Sequence, residues 1–259
     1  MRSHEIDYRI FGEEIQCVEV ELDPQETTIA ESGSFMMMDD GIDMHTIFGD
    51  GAGEQQSFMG KMFSAGKRLL TGESLFMTAF TNNGRYKARV CFAAPYPGKI
   101  IPLDLSRLGG KVIAQKDSFL AAAKGVTVGI EFQRKLGTGL FGGEGFIMQK
   151  LEGDGMAFVH AGGLVVEREL GVGEVLRVDT GCIVAFTQGV DYDIQFVKGV
   201  RNVIFGGEGL FFAALRGPGK VWIQTIPISR LASRILSYAQ PVNRSEEGSV
   251  LGGLGRLLE

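Results

Sequence analysis

Three glutamates recur in one setting, Gly72-Glu73, Gly143-Glu144 and Gly207-Glu208. Three equivalent carboxylates around a pseudo-threefold axis could hold a cation. No histidine accompanies each of them as a second ligand, however, and a glutamate framed by glycine also serves its own turn by accepting backbone N–H groups. The structural turn is therefore the expected role of all six residues, and no metal site is assigned. The stretch Met36–His45 holds Asp39, Asp40, Asp43 and His45 but lacks the alternating acidic spacing and closing glutamate of a calcium loop. Asp43 and His45 are expected on the solvated face of a strand. His4 and His160 stand beside no repeated serine or cysteine nucleophile, and neither a Gly-x-Ser-x-Gly elbow nor a Gly-Lys-Ser/Thr phosphate loop is present. Gly51-Ala52-Gly53 lacks the following helix that dinucleotide binding uses. The sequence thus names no catalytic residue and no cofactor, and leans away from an enzyme.

Cations are the remaining candidates. Lys67 and Arg68, Arg134 and Lys135, and Lys198 and Arg201 each precede one of the Gly-Glu segments. Together with Lys61 they give a candidate binding set: Lys61, Lys67, Arg68, Arg134 and Lys198. A symmetric fold would gather them on one rim, producing a local positive surface for an anionic partner. Solvated strand ends are often basic as well, so the same residues also read as ordinary surface. Around Lys61, Lys67 and Arg68 lie Phe58, Met59, Met62, Phe63, Leu69 and Leu70, a mixture that suits a membrane surface or a protein partner.

These residues are positioned by an internal repeat, which has to be sought before any fold is assigned. Phe141–Ile147 (FGGEGFI) matches Phe205–Phe211 (FGGEGLF) at an offset of 64, and the offset holds from Asp117-Ser118-Phe119 against Gly181-Cys182-Ile183 to Gly155 against Gly219. A looser copy lies in the first third. Gly33-Ser34-Phe35 corresponds to Asp117-Ser118-Phe119, and Gly72–Phe76 to the second Gly-Glu segment, with 13 extra residues between Phe48 and Gly72. The copies run 13–95, 96–161 and 162–226. Within each, Ile42/Met44/Thr46/Phe48, Val126/Val128/Ile130/Phe132 and Val190/Tyr192/Ile194/Phe196 alternate with polar residues, the period of a strand with one buried face. Asn82-Asn83-Gly84, Gly153-Asp154-Gly155 and Gly217-Pro218-Gly219 mark turns. The one helical pattern follows Pro227 over 227–240, with Leu231, Ile235 and Tyr238 on one face. A Gly-rich tail, 241–259, closes the chain.

Composition agrees. The 259 residues include 38 glycines, about twice ordinary usage, as many short strands joined by glycine turns would require. With 44% hydrophobic residues the chain can bury a core, and no Pro/Ser-rich linker divides it, so residues 1–240 are expected to form one body. A net charge of −5 argues against a general nucleic-acid binder. Cys17, Cys91 and Cys182 are distant and odd in number, which suits a reducing compartment. Met1–Arg9 has no apolar core of a secretory signal, and no apolar run approaches the ~18 residues of a membrane span. A cytoplasmic protein is the expectation.

The phrases LTGESLF (70–76), PYPGKIIPLDL (95–105), LFGGEGF (140–146), VDTGCIVAF (178–186) and FGGEGLF (205–211) resemble a widespread prokaryotic family related to a fungal mitochondrial-biogenesis protein of the altered-inheritance-of-mitochondria type. The resemblance spans about residues 10 to 235. It implies a fold similar to the tryptophan RNA-binding attenuation protein, a β-roll subunit, here repeated within one chain. It implies no reaction, and it hands over neither a tryptophan nor an RNA site, because no residue motif for either is matched. The combined expectation is an all-β protein of three tandem attenuation-protein-like β-rolls packed as one body with a short C-terminal helix. Its expected role is a self-assembling scaffold or interaction protein, a trimer being the first guess because open strand edges must be covered and closed symmetry is the rule. The alternative is a binding module for an anionic partner, an acidic lipid surface or nucleic acid, with an acidic membrane surface or a protein favoured as partner over nucleic acid; an enzyme or small-molecule binder with an unrecognised site is the third reading.

Overall fold

The computed structural model describes residues 2–48, 76–134, 146–196 and 211–238. They form four antiparallel sheets and one α-helix, α1 (Ile228–Tyr238), which falls inside the predicted helical stretch. After β1 (Asp7–Phe11), the first third supplies β2 (Cys17–Leu22), β3 (Thr27–Glu31), β4 (Phe35–Met38), β5 (Ile42–Phe48), β6 (Phe76–Asn82) and β7 (Ala88–Ala93). The middle third supplies β8 (Gly98–Asp104), β9 (Lys111–Gln115), β10 (Phe119–Ala123), β11 (Thr127–Arg134), β12 (Phe146–Glu152) and β13 (Met156–Gly162). The last third supplies β14 (Val165–Leu170), β15 (Val175–Asp179), β16 (Ile183–Thr187), β17 (Asp191–Phe196), β18 (Phe211–Arg216) and β19 (Gly219–Gln224).

The first third pairs β2–β7, β4–β7, β3–β6 and β5–β6. The middle third pairs β8–β13, β10–β13, β9–β12 and β11–β12. The last third pairs β14–β19, β16–β19, β15–β18 and β17–β18. Two further ladders, β3–β10 and β9–β16, join these groups, giving sheets ordered β1-β2-β7-β4, β5-β6-β3-β10-β13-β8, β11-β12-β9-β16-β19-β14 and β15-β18-β17. Strands that follow one another across the Asn82, Gly153 and Gly217 turns therefore enter different sheets rather than forming hairpins. Period-two alternation reports which face is buried and carries no information about the partner strand.

Apolar layers separate the sheets. Val18, Val20, Val90 and Phe92 of the four-stranded sheet meet Phe80, Leu120 and Phe158 of the next. Ile29, Phe119 and Val159 meet Val112, Val128, Val184 and Trp222 between the two six-stranded sheets. Ile113, Phe146 and Ile183 meet Val178, Ala213 and Leu215 beneath the three-stranded one. A register shift places one extra residue in β4 between Phe35 and Met37, in β10 between Phe119 and Ala121, and in β16 between Ile183 and Ala185. A bulge of this kind turns two successive side chains to one side. In β10, Phe119 and Ala122 accordingly join one apolar layer while Leu120 and Ala121 join the other.

The chain start is clamped onto the middle third. Ser3 N–H donates to Asp154 Oδ1 at 2.8 Å, His4 N–H to the Lys124 carbonyl at 2.9 Å, and Thr27 N–H to His4 Nδ1 at 2.9 Å. Gly125, at φ +105°, is required at this crossing, since a Cβ there would lie 2.6 Å from the Ser3 Cα.

One expectation about burial is not met. Ile42 of β5 is buried, but Met44 and Thr46 on the same face are exposed. β5 is the outermost strand of its sheet. Asp43 and His45 are exposed, as a solvated face requires.

Candidate functional site

The predicted site residues fall mostly outside what the structure describes. Lys61, Lys67, Arg68, Lys198 and the turn residues Gly72, Glu73, Gly143, Glu144, Gly207 and Glu208 lie outside the described residues, and Arg134 is described only as the last backbone position of β11. The flanking strands are described. The pairs Phe48↔Phe76, Arg134↔Phe146 and Phe196↔Phe211 close the β5–β6, β11–β12 and β17–β18 ladders, so 49–75, 135–145 and 197–210 each connect an antiparallel pair.

A polar group that the sequence did not single out lies near the β3–β10 junction. Glu31 ends β3, Asp117 and Lys116 sit in the 3₁₀ turn leading into β10, and His160 is in β13, which pairs with β10. Burial, and then the Asp117 carboxylate, push the Glu31 carboxyl up to about 7, with Lys116 opposing them. Burial and Asp117 likewise raise the Tyr96 phenol to about 12. His160 is almost fully buried, and burial pulls its imidazole down to about 4. Its ring packs edge-on to Tyr96 with centroids 4.3 Å apart, and the Tyr96 backbone makes a polar contact that partly offsets the pull of burial, although neither ring nitrogen meets full hydrogen-bond geometry.

The matching position of β19 is more fully hydrogen-bonded. Gln224 stands opposite Val165 as His160 stands opposite Ile100, and it donates to the Gly181 carbonyl while accepting the Gly162 N–H. Gly162 lies three residues before Val165, and the residue three before Ile100 is Pro97, which has no N–H to give. The cluster is thus a carboxyl that titrates near neutrality beside a neutral imidazole and a neutral phenol. Such groups suit proton exchange. Among the described residues no three His, Cys, Asp or Glu side chains converge on a metal position. Cys17, Cys91 and Cys182 are free thiols, with burial and the neighbouring Cys17 holding Cys91 up at about 12, unsuited to a nucleophile.

Apolar surface is the second feature. Phe35, Met36, Met37 and Met38 of β4 are all exposed, and Met44 of β5 extends the patch. In α1, Ile235, Leu236 and Tyr238 are exposed alongside Arg230 and Arg234, with no acidic residue in the helix. Arg230 reaches Asp179 at the end of β15, 3.2 Å away. Among the described residues no helix is long and apolar enough to cross a membrane.

Four layered antiparallel sheets with one short helix define an all-β protein. The family model described as mitochondrial biogenesis AIM24 matches residues 8–226, and the chain belongs to that family. An uncharacterised protein of Streptococcus pyogenes serotype M6 is 28% identical over 225 residues, covering 85% of this chain and 86% of the relative. A crystal structure of another Streptococcus pyogenes protein superposes with a TM-score of 0.70 at 23% identity, over 91% of this chain and all of that one, a likeness of fold.

Proposed function

We propose that the chain is a non-enzymatic, self-assembling scaffold made of three tandem β-roll units, 13–95, 96–161 and 162–226, acting in the cytoplasm. The four pairings found in each third, together with the bulge repeated in β4, β10 and β16, support the tandem-unit reading. The observation that carries the scaffold reading is the exposed apolar run of β4 and Met44, larger than the scattered apolar residues of an ordinary monomer surface. A homo-oligomer follows, with a trimer the first size to test. Light scattering after size exclusion across micromolar concentrations should give a multiple of 28.0 kDa. A constant single-chain mass would remove the reading.

A second reading is favoured by α1, where Ile235, Leu236 and Tyr238 are exposed beside Arg234, Arg230 reaches Asp179, and the helix itself holds no acid. Such a helix suits an acidic lipid surface, with Lys61, Lys67 and Arg68 adding to the attraction at on the order of 1 kcal/mol for each charge close to the membrane. The protein should then sediment with vesicles containing acidic lipid and not with neutral ones, and lose that binding towards ~0.5 M salt as screening shortens. Replacing Lys61, Lys67 and Arg68 by Ser should weaken it. Equal recovery with neutral vesicles would discard this reading.

A further inference from the structure

The four sheets are not equivalent. Two contain six strands, and each is built by a ladder between neighbouring thirds of the chain, β3 to β10 in one and β9 to β16 in the other. In both, three strands from the earlier third (β5-β6-β3 or β11-β12-β9) abut three from the later one (β10-β13-β8 or β16-β19-β14). The two smaller sheets are the halves left over. β17-β18-β15 ends on β15, which corresponds to β3 and β9, and β4-β7-β2, with β1 added, ends on β4, which corresponds to β10 and β16.

We infer that β15 of one copy pairs with β4 of the next, so that the two half-sheets of successive copies form a third composite sheet. The inference rests on the self-assembly reading and specifies its interface. Placing β17-β18-β15 against β4-β7-β2 reproduces the strand order of both six-stranded sheets, with β1 as an added outer strand.

Burial supports the same conclusion. Met37 is 52% exposed, whereas Ala121 and Ala185, which follow the same bulge in β10 and β16, are 0% exposed. Met44 is 52% exposed, whereas Val128 at the matching position of β11 is 1% exposed. Natural edge strands are protected by charge, proline or brevity, and a Phe-Met-Met-Met edge has none of the first two. Its four apolar side chains occupy positions that the neighbouring unit covers wherever a neighbouring unit exists. The edges also differ in charge, since β4 runs on into exposed Asp39 and Asp40 while β15 carries exposed Arg177.

The internal ladders fix the register. Ala121 faces Ala30 and Ala122 faces Ile29; Ala185 faces Ala114 and Phe186 faces Ile113. The matching residues are Met37 and Met38 on β4, and, through the β3–β6, β9–β12 and β15–β18 registers, Val178 and Arg177 on β15. Met37 therefore lies opposite Val178, and Met38 opposite Arg177. The contact is head-to-tail and joins different surfaces, so it propagates into a ring or a filament rather than stopping at a twofold dimer.

The test uses full-length protein with Cys17→Ser, Cys91→Ala and Cys182→Ser. Single-cysteine proteins Met37→Cys and Val178→Cys are mixed and oxidised, as are Met38→Cys and Arg177→Cys, because one of two adjacent cross-strand pairs has the closer side chains. Each mixture is scored for a disulfide-linked pair of chains. Linking in at least one mixture, and in neither protein alone, is expected. In the native-cysteine chain, Met37→Lys with Met38→Lys should reduce the scattering mass to that of one chain while leaving the circular dichroism unchanged.

Self-linking of Met37→Cys protein would show β4 meeting β4 and overturn the proposal. So would photocrosslinking from a benzophenone on the Met37→Cys thiol that maps only to 49–75 or 239–259 of the same chain. An assembled wild type that gives no mixed link removes this interface and leaves self-assembly standing. A wild type that stays a single chain at every concentration removes both.

Discussion

Glu31 and His160 titrate in opposite senses, and each makes stability depend on pH. The folded chain holds the Glu31 proton up to about 7, whereas the unfolded chain releases it near 4.5, so stability falls as pH rises through that window. Glu31→Gln removes the dependence. Thermal melts should show the variant more stable than wild type at pH 8, by on the order of 1–3 kcal/mol, and equal to it near pH 4. Gln115 already occupies the corresponding place at the end of β9. For His160 the sign reverses. The unfolded imidazole binds a proton near 6.5 and the folded one only near 4, so stability is lost as pH falls between them. His160→Leu removes a buried polar group whose polar contact is the Tyr96 backbone, so it should be near neutral at pH 8 and more stabilising at pH 5. Equal shifts at both pH values would refute this account of His160. Glu31 was not legible in the sequence, and His160 was legible only as a histidine beside no nucleophile. Val159-His160-Ala161 carries no local mark of the burial that depresses the imidazole. The three Gly-Glu segments and the basic residues before them were legible as motifs, and their chemistry stays with the proposals made above.

At the scale of elements, β10 holds the first composite sheet together, with all five residues buried between β3 and β13. Its sequence, Phe-Leu-Ala-Ala-Ala, has small side chains after the bulge, where two apolar layers come close on either side. Ala122→Leu should therefore overpack that layer and cost about 1–3 kcal/mol in denaturant unfolding, against a change within about 0.5 kcal/mol for Ile235→Ser on the exposed face of α1. A tolerated Ala122→Leu would mean that the layer is looser than its burial indicates. Strand positions were readable because alternation leaves a mark in each short window, as in Val126, Val128 and Ile130. The partner strands were not readable. Ala30 faces Ala121 across most of a hundred residues of chain, and no local pattern in either strand encodes that distance. β4 shows the same limit from the other side, since an apolar run looks alike in sequence whether its edge is covered or open.

At the scale of the whole molecule, the two internal ladders make the thirds of the chain interdependent. A fragment of residues 2–95 keeps β3 without β10 and so exposes on its own a second strand edge that the full chain covers. Expressed by itself, that fragment should aggregate or associate, and should not give a monomer with cooperative unfolding. A stable monomeric fragment would mean that each unit is self-sufficient and the shared sheets incidental.

The β3–β10 ladder also has a consequence for synthesis. β3 leaves the ribosome roughly 90 residues before β10, so at about 5–20 residues per second its edge waits some 5–20 seconds for its partner. The β9 edge then waits in turn for β16, roughly 70 residues later, and β15 ends the series with no further strand beside it among the described residues. Each third of the chain thus leaves the ribosome with an unmet edge, and for the first two the wait ends within the chain. If the β15–β4 pairing proposed above closes the last edge, it does so only when another chain arrives, and the local density of nascent copies, as on one polysome, then decides whether this protein assembles or aggregates.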